Sequence, residues 1–178
     1  HSIAVLNPKA EFKFMLAGHI DEICLIITHI DDKGYISTAQ IGGMDPALLI
    51  GQRVRIVTQK GDVFGVIGRK AIHQMTPEER KKNVEMENIW IDIGADTKKA
   101  SEKRVAIGDP IVVDVFCRKL NGDKIVSRAT DDKAGAFVVA EVMRQLSRRK
   151  LKVCVMGVAT VQEEIGLRGA ITSSYNVN

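Results

Sequence analysis

Three short stretches of this chain carry side chains able to do acid, base or metal chemistry. The most conspicuous is Thr160-Val161-Gln162-Glu163-Glu164-Ile165-Gly166-Leu167-Arg168-Gly169-Ala170, which sets two adjacent carboxylates beyond the uncharged run Val153 to Ala159. Such a run predicts a strand buried on both faces, the pattern of a parallel sheet. Ligands of open α/β sheets gather outside the carboxyl ends of the strands, and Glu163 and Glu164 fall at such an end. On extended backbone, neighbouring side chains point to opposite sides, so the pair is expected to divide its labour. One carboxylate would bind a metal and the other, left free, would move protons. An exposed loop with two solvated glutamates fits this stretch equally well.

The second stretch is Gly18-His19-Ile20-Asp21-Glu22, delivered by the apolar segment Phe12 to Ala17. His19 and Asp21 share a face if the backbone is extended. A metal-binding histidine usually hands its second ring N–H to a carboxylate that fixes the tautomer, and Asp21 suits that place. A half-buried histidine satisfied by the backbone is the plainer alternative. In the third stretch, Thr130-Asp131-Asp132-Lys133-Ala134-Gly135, the acidic pair opens a helix whose apolar positions 138, 139, 142, 143 and 146 recur at helical spacing. An aspartate there caps the helix, meeting free N–H groups and the positive end of the dipole. The same position suits a carboxylate that bridges two cations.

The elements that would position these residues are of two textures. The ends read as α/β: Phe12–Ala17, the helix from Thr130 and the run before Thr160. Between them, residues 23–126 read as short strands punctuated by turns. Ile23–Ile30 and Tyr35–Ile41 flank the turn Asp31-Asp32-Lys33-Gly34, and Arg53–Thr58 and Val63–Gly68 flank a second glycine-bearing turn. Thr76-Pro77-Glu78-Glu79 predicts a capping box, Asp96 or Thr97 a further cap, and Trp90–Gly94 and Ile111–Phe116 further strands. His29 and His73 are expected to be structural or on the surface, and Asp31-Asp32 and Met44-Asp45-Pro46 to be turn chemistry. The fold class expected is therefore α/β: two α/β pieces, 1–22 and 127–178, of one incomplete α/β/α domain, interrupted by a small β-barrel or sandwich over 23–126.

At 178 residues the chain can bury a substantial core, and its net charge of +4 is spread along it. The cluster Arg148-Arg149-Lys150 marks a solvated helix end rather than a nucleic-acid site, so no nucleic-acid partner is expected. No apolar segment approaches membrane-spanning length, so no membrane partner is expected either. Cys24, Cys117 and Cys154 lie in apolar runs and are expected to be small buried hydrophobes; their odd number argues against a disulfide framework. A reducing cytoplasm is the default location. Both ends look abrupt, as in a piece of a longer chain.

Together, the three stretches, with Ile41-Gly42-Gly43-Met44-Asp45-Pro46 and Ile91-Asp92-Ile93-Gly94-Ala95, resemble the glutamyl and tetrahedral aminopeptidases, dinuclear metallopeptidases some of whose members are labelled endoglucanases. The likeness covers essentially the whole chain, which matches the central part of such an enzyme. It implies that His19 binds one metal, Asp131 bridges both, Glu164 binds the second, Glu163 is the general base and Asp21 orients His19. It further implies two divalent ions per subunit, zinc or cobalt, and hydrolysis of peptides from a free N-terminus. Residues 23–126 would be a PDZ-like domain through which dimers build a larger homo-oligomer such as a dodecamer. Cys24 stands where the family usually has glycine and Lys133 where arginine is frequent. Two further ligands, an aspartate and a histidine, would come from chain beyond Asn178. Two other readings stay open: an inactive fragment whose β module mediates self-association, and a glycoside hydrolase using paired carboxylates.

Overall fold

The computed structural model describes residues 1–175 and 177. In chain order these form β1 (Ser2–Leu6), β2 (Lys13–His19), β3 (Cys24–Ile30), β4 (Ile36–Ile41), β5 (Arg53–Thr58), β6 (Gly61–Arg69), α1 (Pro77–Lys81), β7 (Ile89–Asp92), α2 (Lys98–Glu102) and β8 (Pro110–Val113). They continue with β9 (Arg118–Lys119), β10 (Ile125–Val126), α3 (Thr130–Leu146), β11 (Cys154–Thr160) and α4 (Arg168–Ser174). No helix among them is long and apolar enough to cross a membrane. The chain divides into two compact units, Ile23–Phe116 and His1–Glu22 with Cys117–Asn178. Residues 117–126, grouped with the β domain in the sequence reading, fall in the latter unit and carry the ribbon β9–β10.

The unit Ile23–Phe116 is a closed barrel in the order β3-β4-β7-β6-β5-β8. Its core is built from β-branched residues, among which Ile27, Ile36, Ile56, Ile67, Ile91 and Ile111 are fully buried. Both expected hairpins form, β3 with β4 and β5 with β6. At the first turn the Asp31 carboxylate accepts from the N–H groups of Lys33 and Tyr35, and Gly34 adopts a φ of +89° that an L side chain rarely takes. The Asp45 carboxylate likewise accepts from Ala47, and Thr76 with Glu79 forms the expected capping box on α1. Thr97, rather than Asp96, caps α2. His29 and His73 lie on the surface.

The other unit is a three-stranded sheet, β1-β11-β2, with α3 packed on it. β11 is central, antiparallel to β1 and parallel to β2, which accounts for the uncharged run that forms it. β2 lies at the edge of that sheet among the described residues. With a strand neighbour on one side only, it is exposed at its start, where a buried strand over Phe12–Ala17 was expected: Phe12, just before β2, is 66% and Phe14 49% exposed. Three further expectations are corrected. Val138 is 58% exposed, because α3 faces the sheet through Ala136, Val139 and Met143, which meet Gly18 and Gly157. Cys117 is exposed and Cys24 half-buried, so of the three cysteines only Cys154, on central β11, is a buried hydrophobe. The strand expected to run to Phe116 ends at Val113.

At Gly18 the backbone of α3 presses directly on the sheet. A Cβ there would stand 2.5 Å from the Ala136 backbone nitrogen and 2.8 Å from the Gly135 carbonyl carbon. Neither backbone atom can rotate aside. Gly18→Ala is expected to lower stability by about 1–3 kcal/mol, the usual cost of overpacking, measured as a reduced urea midpoint at unchanged slope.

Candidate metal centre

The parallel register of β2 and β11 sets Gly18 opposite Ala159 and His19 opposite Thr160. The pairing runs one residue further, where the Ile20 N–H donates to the Thr160 carbonyl at 2.9 Å. Both strands therefore end together, and the stretches His19–Glu22 and Val161–Glu164 leave the sheet side by side.

His19 is buried. Its Nδ1 lies 3.1 Å from the Asp21 main-chain carbonyl, which can only accept, so Nδ1 carries the proton and Nε2 presents its lone pair. The sequence reading gave the orienting part to Asp21, and it is the Asp21 backbone that stands nearest; the carboxylate Oδ1 is 3.6 Å away. The other oxygen, Oδ2, accepts from the Glu164 N–H at 3.2 Å. Asp21 thus ties the end of β2 to the acidic loop after β11, while its buried Oδ1 has no hydrogen-bond partner.

Asp131 and Asp132 separate in structure as well as in duty. The backbone at both is non-helical, a kink near the start of α3, and the peptide bond joining them is cis. The Asp132 carboxylate accepts from the Gly135 N–H at 3.0 Å and so caps the regular helix. That carboxylate occupies the space a Cβ on Gly135 would need. Asp131 caps nothing. Its side chain is 93% exposed, and Oδ1 stands 3.3 Å from His19 Nε2.

The loop after β11 departs from the alternation expected of extended backbone. Gln162 has φ of +60° and Leu167 +58°, left-handed values that turn the chain. As a result Glu163 and Glu164 do not point apart. One carboxylate oxygen from each and a His19 ring nitrogen all lie within 4.8 Å of one another. The loop closes on itself where Gly169 donates to the Val161 carbonyl at 3.0 Å and Arg168 to that of Gln162 at 3.1 Å. Gly169 is pressed so closely on Val161 that a Cβ would strike its carbonyl oxygen. Glycine in the motif is thus a packing requirement.

The electrostatics match the geometry. Burial alone would lower the His19 pKa, but the Asp21 carbonyl, the Glu163 charge and the Asp131 carboxylate outweigh it, and the value is raised. Glu164 is also raised, by burial and by the Glu163 charge, with Asp131 and Asp21 adding to it against His19. A neutral His19 would point its Nε2 lone pair at carboxylate oxygens 3.3 Å and 3.7 Å away, an arrangement that a proton or a cation relieves. One imidazole nitrogen with several carboxylate oxygens is a donor set for zinc-type ions, and the buried Oδ1 of Asp21 without a hydrogen bond fits the same demand for positive charge. The five predicted site residues His19, Asp21, Asp131, Glu163 and Glu164 thus come together. Glu22 and Arg128, left unassigned by the sequence, form an ion pair beside them across 106 residues, a separation that leaves no local signal.

Because the folded state raises the His19 pKa, it binds that proton more tightly than the unfolded chain does. This stability increment is full below about pH 6.5 and is lost as pH rises through the higher folded value. In the metal-free protein the His19 imidazole resonance should titrate with a midpoint above 6.5, and a saturating divalent ion should abolish that titration.

Comparison with known proteins bears on the family of the chain. Residues 2–178 match the family model of the M42 glutamyl aminopeptidases. A TET aminopeptidase from a marine sediment archaeon of the Thaumarchaeota superposes with a TM-score of 0.92 at 37% identity, over 98% of this chain and 51% of that one. The Pyrococcus horikoshii TET1 peptidase, which can assemble into a tetrahedron or a large octahedral shell, superposes at 0.87 with 34% identity, over 98% of this chain and 52% of its own. A lysyl aminopeptidase of Pyrococcus furiosus is 33% identical over 168 residues, 93% of this chain and 48% of its own length. The chain therefore spans about half the length of the relatives it matches. With the motifs, the fold and the clustered site in agreement, this chain belongs to the M42 glutamyl aminopeptidase family.

Proposed function

We propose that this chain is part of a metal-dependent aminopeptidase that removes residues from the free N-terminus of peptides, with Glu163 as the general base. The observation that carries the reading is the convergence of His19, Glu163 and Glu164 at the shared ends of β2 and β11, with Asp131 opposite. M42 peptidases are metal-dependent as a family. His19 Nε2 and Glu164 would each hold a divalent ion, zinc or cobalt, and Asp131, with two oxygens on an exposed side chain, would bridge a pair of them. Such ions lower the pKa of a water and polarise a carbonyl. Asp21 keeps Nε2 free by accepting the Nδ1 proton on its main-chain oxygen, and it fixes the Glu164 backbone through its carboxylate. Glu163 would take a proton from water and return it to the leaving amine.

A sugar hydrolase needs its two carboxyl groups about 5–10 Å apart, across the scissile bond. Here Glu163 and Glu164 each bring an oxygen within 4.8 Å of a His19 ring nitrogen, a mixed donor set that suits a metal ion and favours the peptidase reading. We further assign self-association to the barrel unit as a PDZ-like module, in a homo-oligomer of the kind the TET1 relative forms, reaching a dodecamer. A cytoplasmic location suits the odd number of cysteines, Cys24, Cys117 and Cys154, which argues against a disulfide framework.

Glu163→Gln in the whole protein should reduce turnover of an aminoacyl p-nitroanilide by about 10²–10⁴ while bound metal stays near the wild-type level. Unchanged turnover, or loss of metal from the variant, would overturn the part given to Glu163. Hydrolysis of a cellulose-type substrate by metal-stripped protein would overturn the peptidase assignment.

A further inference from the structure

Glu22 directly follows Asp21, and its side chain is only 20% exposed. One of its oxygens, Oε1, accepts from Arg128 at 2.7 Å and from Lys133 at 3.3 Å. These two cations bracket Asp131 in sequence, on the bend that opens α3. The bend begins at Ala129, in the left-handed region with φ of +56° and no side-chain cap. Asp131, 93% exposed and 3.3 Å from His19, is the carboxylate most open to a competing cation.

From this arrangement we infer that Glu22 is a positioning residue for the metal centre, acting by holding Arg128 and Lys133 away from the carboxylates that bind metal. The inference rests on the metal-dependent reading above. A cluster of Asp21, Asp131, Glu163 and Glu164 beside one imidazole attracts any mobile positive charge, and long side chains two and three residues from Asp131 are the nearest supply. An ammonium or guanidinium seated on Asp131 would occupy oxygens a metal needs, and a dication would have to displace it. Glu22 removes that competition by offering both cations a single, partly buried carboxylate. It touches neither metal nor substrate; its effect passes through Arg128 and Lys133.

Zinc affinity of the whole protein, read by competition with a chromophoric chelator, tests this without reference to turnover. E22Q should bind zinc about 10–100-fold more weakly than wild type, the range found when outer partners of a metal site are removed. E22Q/R128M/K133M, which lacks the freed cations, should recover affinity to within about threefold of wild type, a rescue that a merely structural part for Glu22 would not give. Circular dichroism melting of the variants separates loss of fold from loss of affinity. Should E22Q itself unfold, the triple variant still decides by its affinity. Wild-type affinity in a folded E22Q, or a folded triple variant as weak as E22Q, would overturn the inference while leaving the metal centre standing. A wild-type protein that binds no zinc would instead overturn the metal-dependent reading, and this inference with it.

Discussion

The parallel pairing of β2 with β11 is the constraint from which the candidate site follows. Its register places His19 level with Thr160, and the Ile20 N–H to Thr160 carbonyl bond carries it one residue past the strand ends. Two stretches more than 140 residues apart, judging by the Asp21 to Glu164 contact, thereby leave the sheet together. A slip of one residue would turn every side chain of β2 to the other face and take His19 away from the acidic loop. The register is held from outside by the helix, since Gly18 and Gly157 let α3 sit directly on the strands and bring Asp131 to the same edge.

Within that frame the site concentrates negative charge, at a conformational cost. Ala129, Gln162 and Leu167 all take left-handed backbone without being glycine, and each costs roughly 1–2 kcal/mol. Two of them aim the Glu163–Glu164 loop, and one begins the bend that carries Asp131. Burial first and the neighbouring carboxylates second raise the Glu164 pKa, while against its own burial His19 is drawn toward its protonated form by the Asp21 carbonyl and then by the nearby carboxylates. A site that holds its acids this close without a buried lysine or arginine among them is arranged to receive a cation from solution. The paired cations nearby are engaged elsewhere, on Glu22.

The barrel unit shows the opposite economy. Its strands close on themselves, so no edge is left to pair, and its core is a set of interlocking isoleucines and valines. Its turns are satisfied locally: Asp31 holds its own hairpin, Asp45 its own short turn, and Thr76 and Glu79 satisfy each other at α1. This is why short-range patterns read it well, including both hairpins and the capping box. Residues 118–126 carry a small ribbon in which β9 pairs with β10.

Local sequence was sufficient wherever the determining interaction was local. The apolar run before Thr160 fixed β11 as a central strand, and the acidic pair before Lys133 fixed the start of α3. The residue types at 19, 21, 131, 163 and 164 stated the chemistry on offer. What sequence could not decide were outcomes of long-range packing. Phe12, just before β2, and Phe14 within it look like core and are exposed, β2 having a strand neighbour on one side only among the described residues; Val138 has helical periodicity and faces outward, because the glycine contacts choose the buried face of α3. Glu163 and Glu164 were expected to point apart by strand alternation, and a left-handed turn at Gln162 set both toward His19. Capping and site duty at Asp131 and Asp132 could not be divided from composition either. That division came from the backbone geometry of the bend, which gave the helix N–H to Asp132 and left Asp131 to face the imidazole.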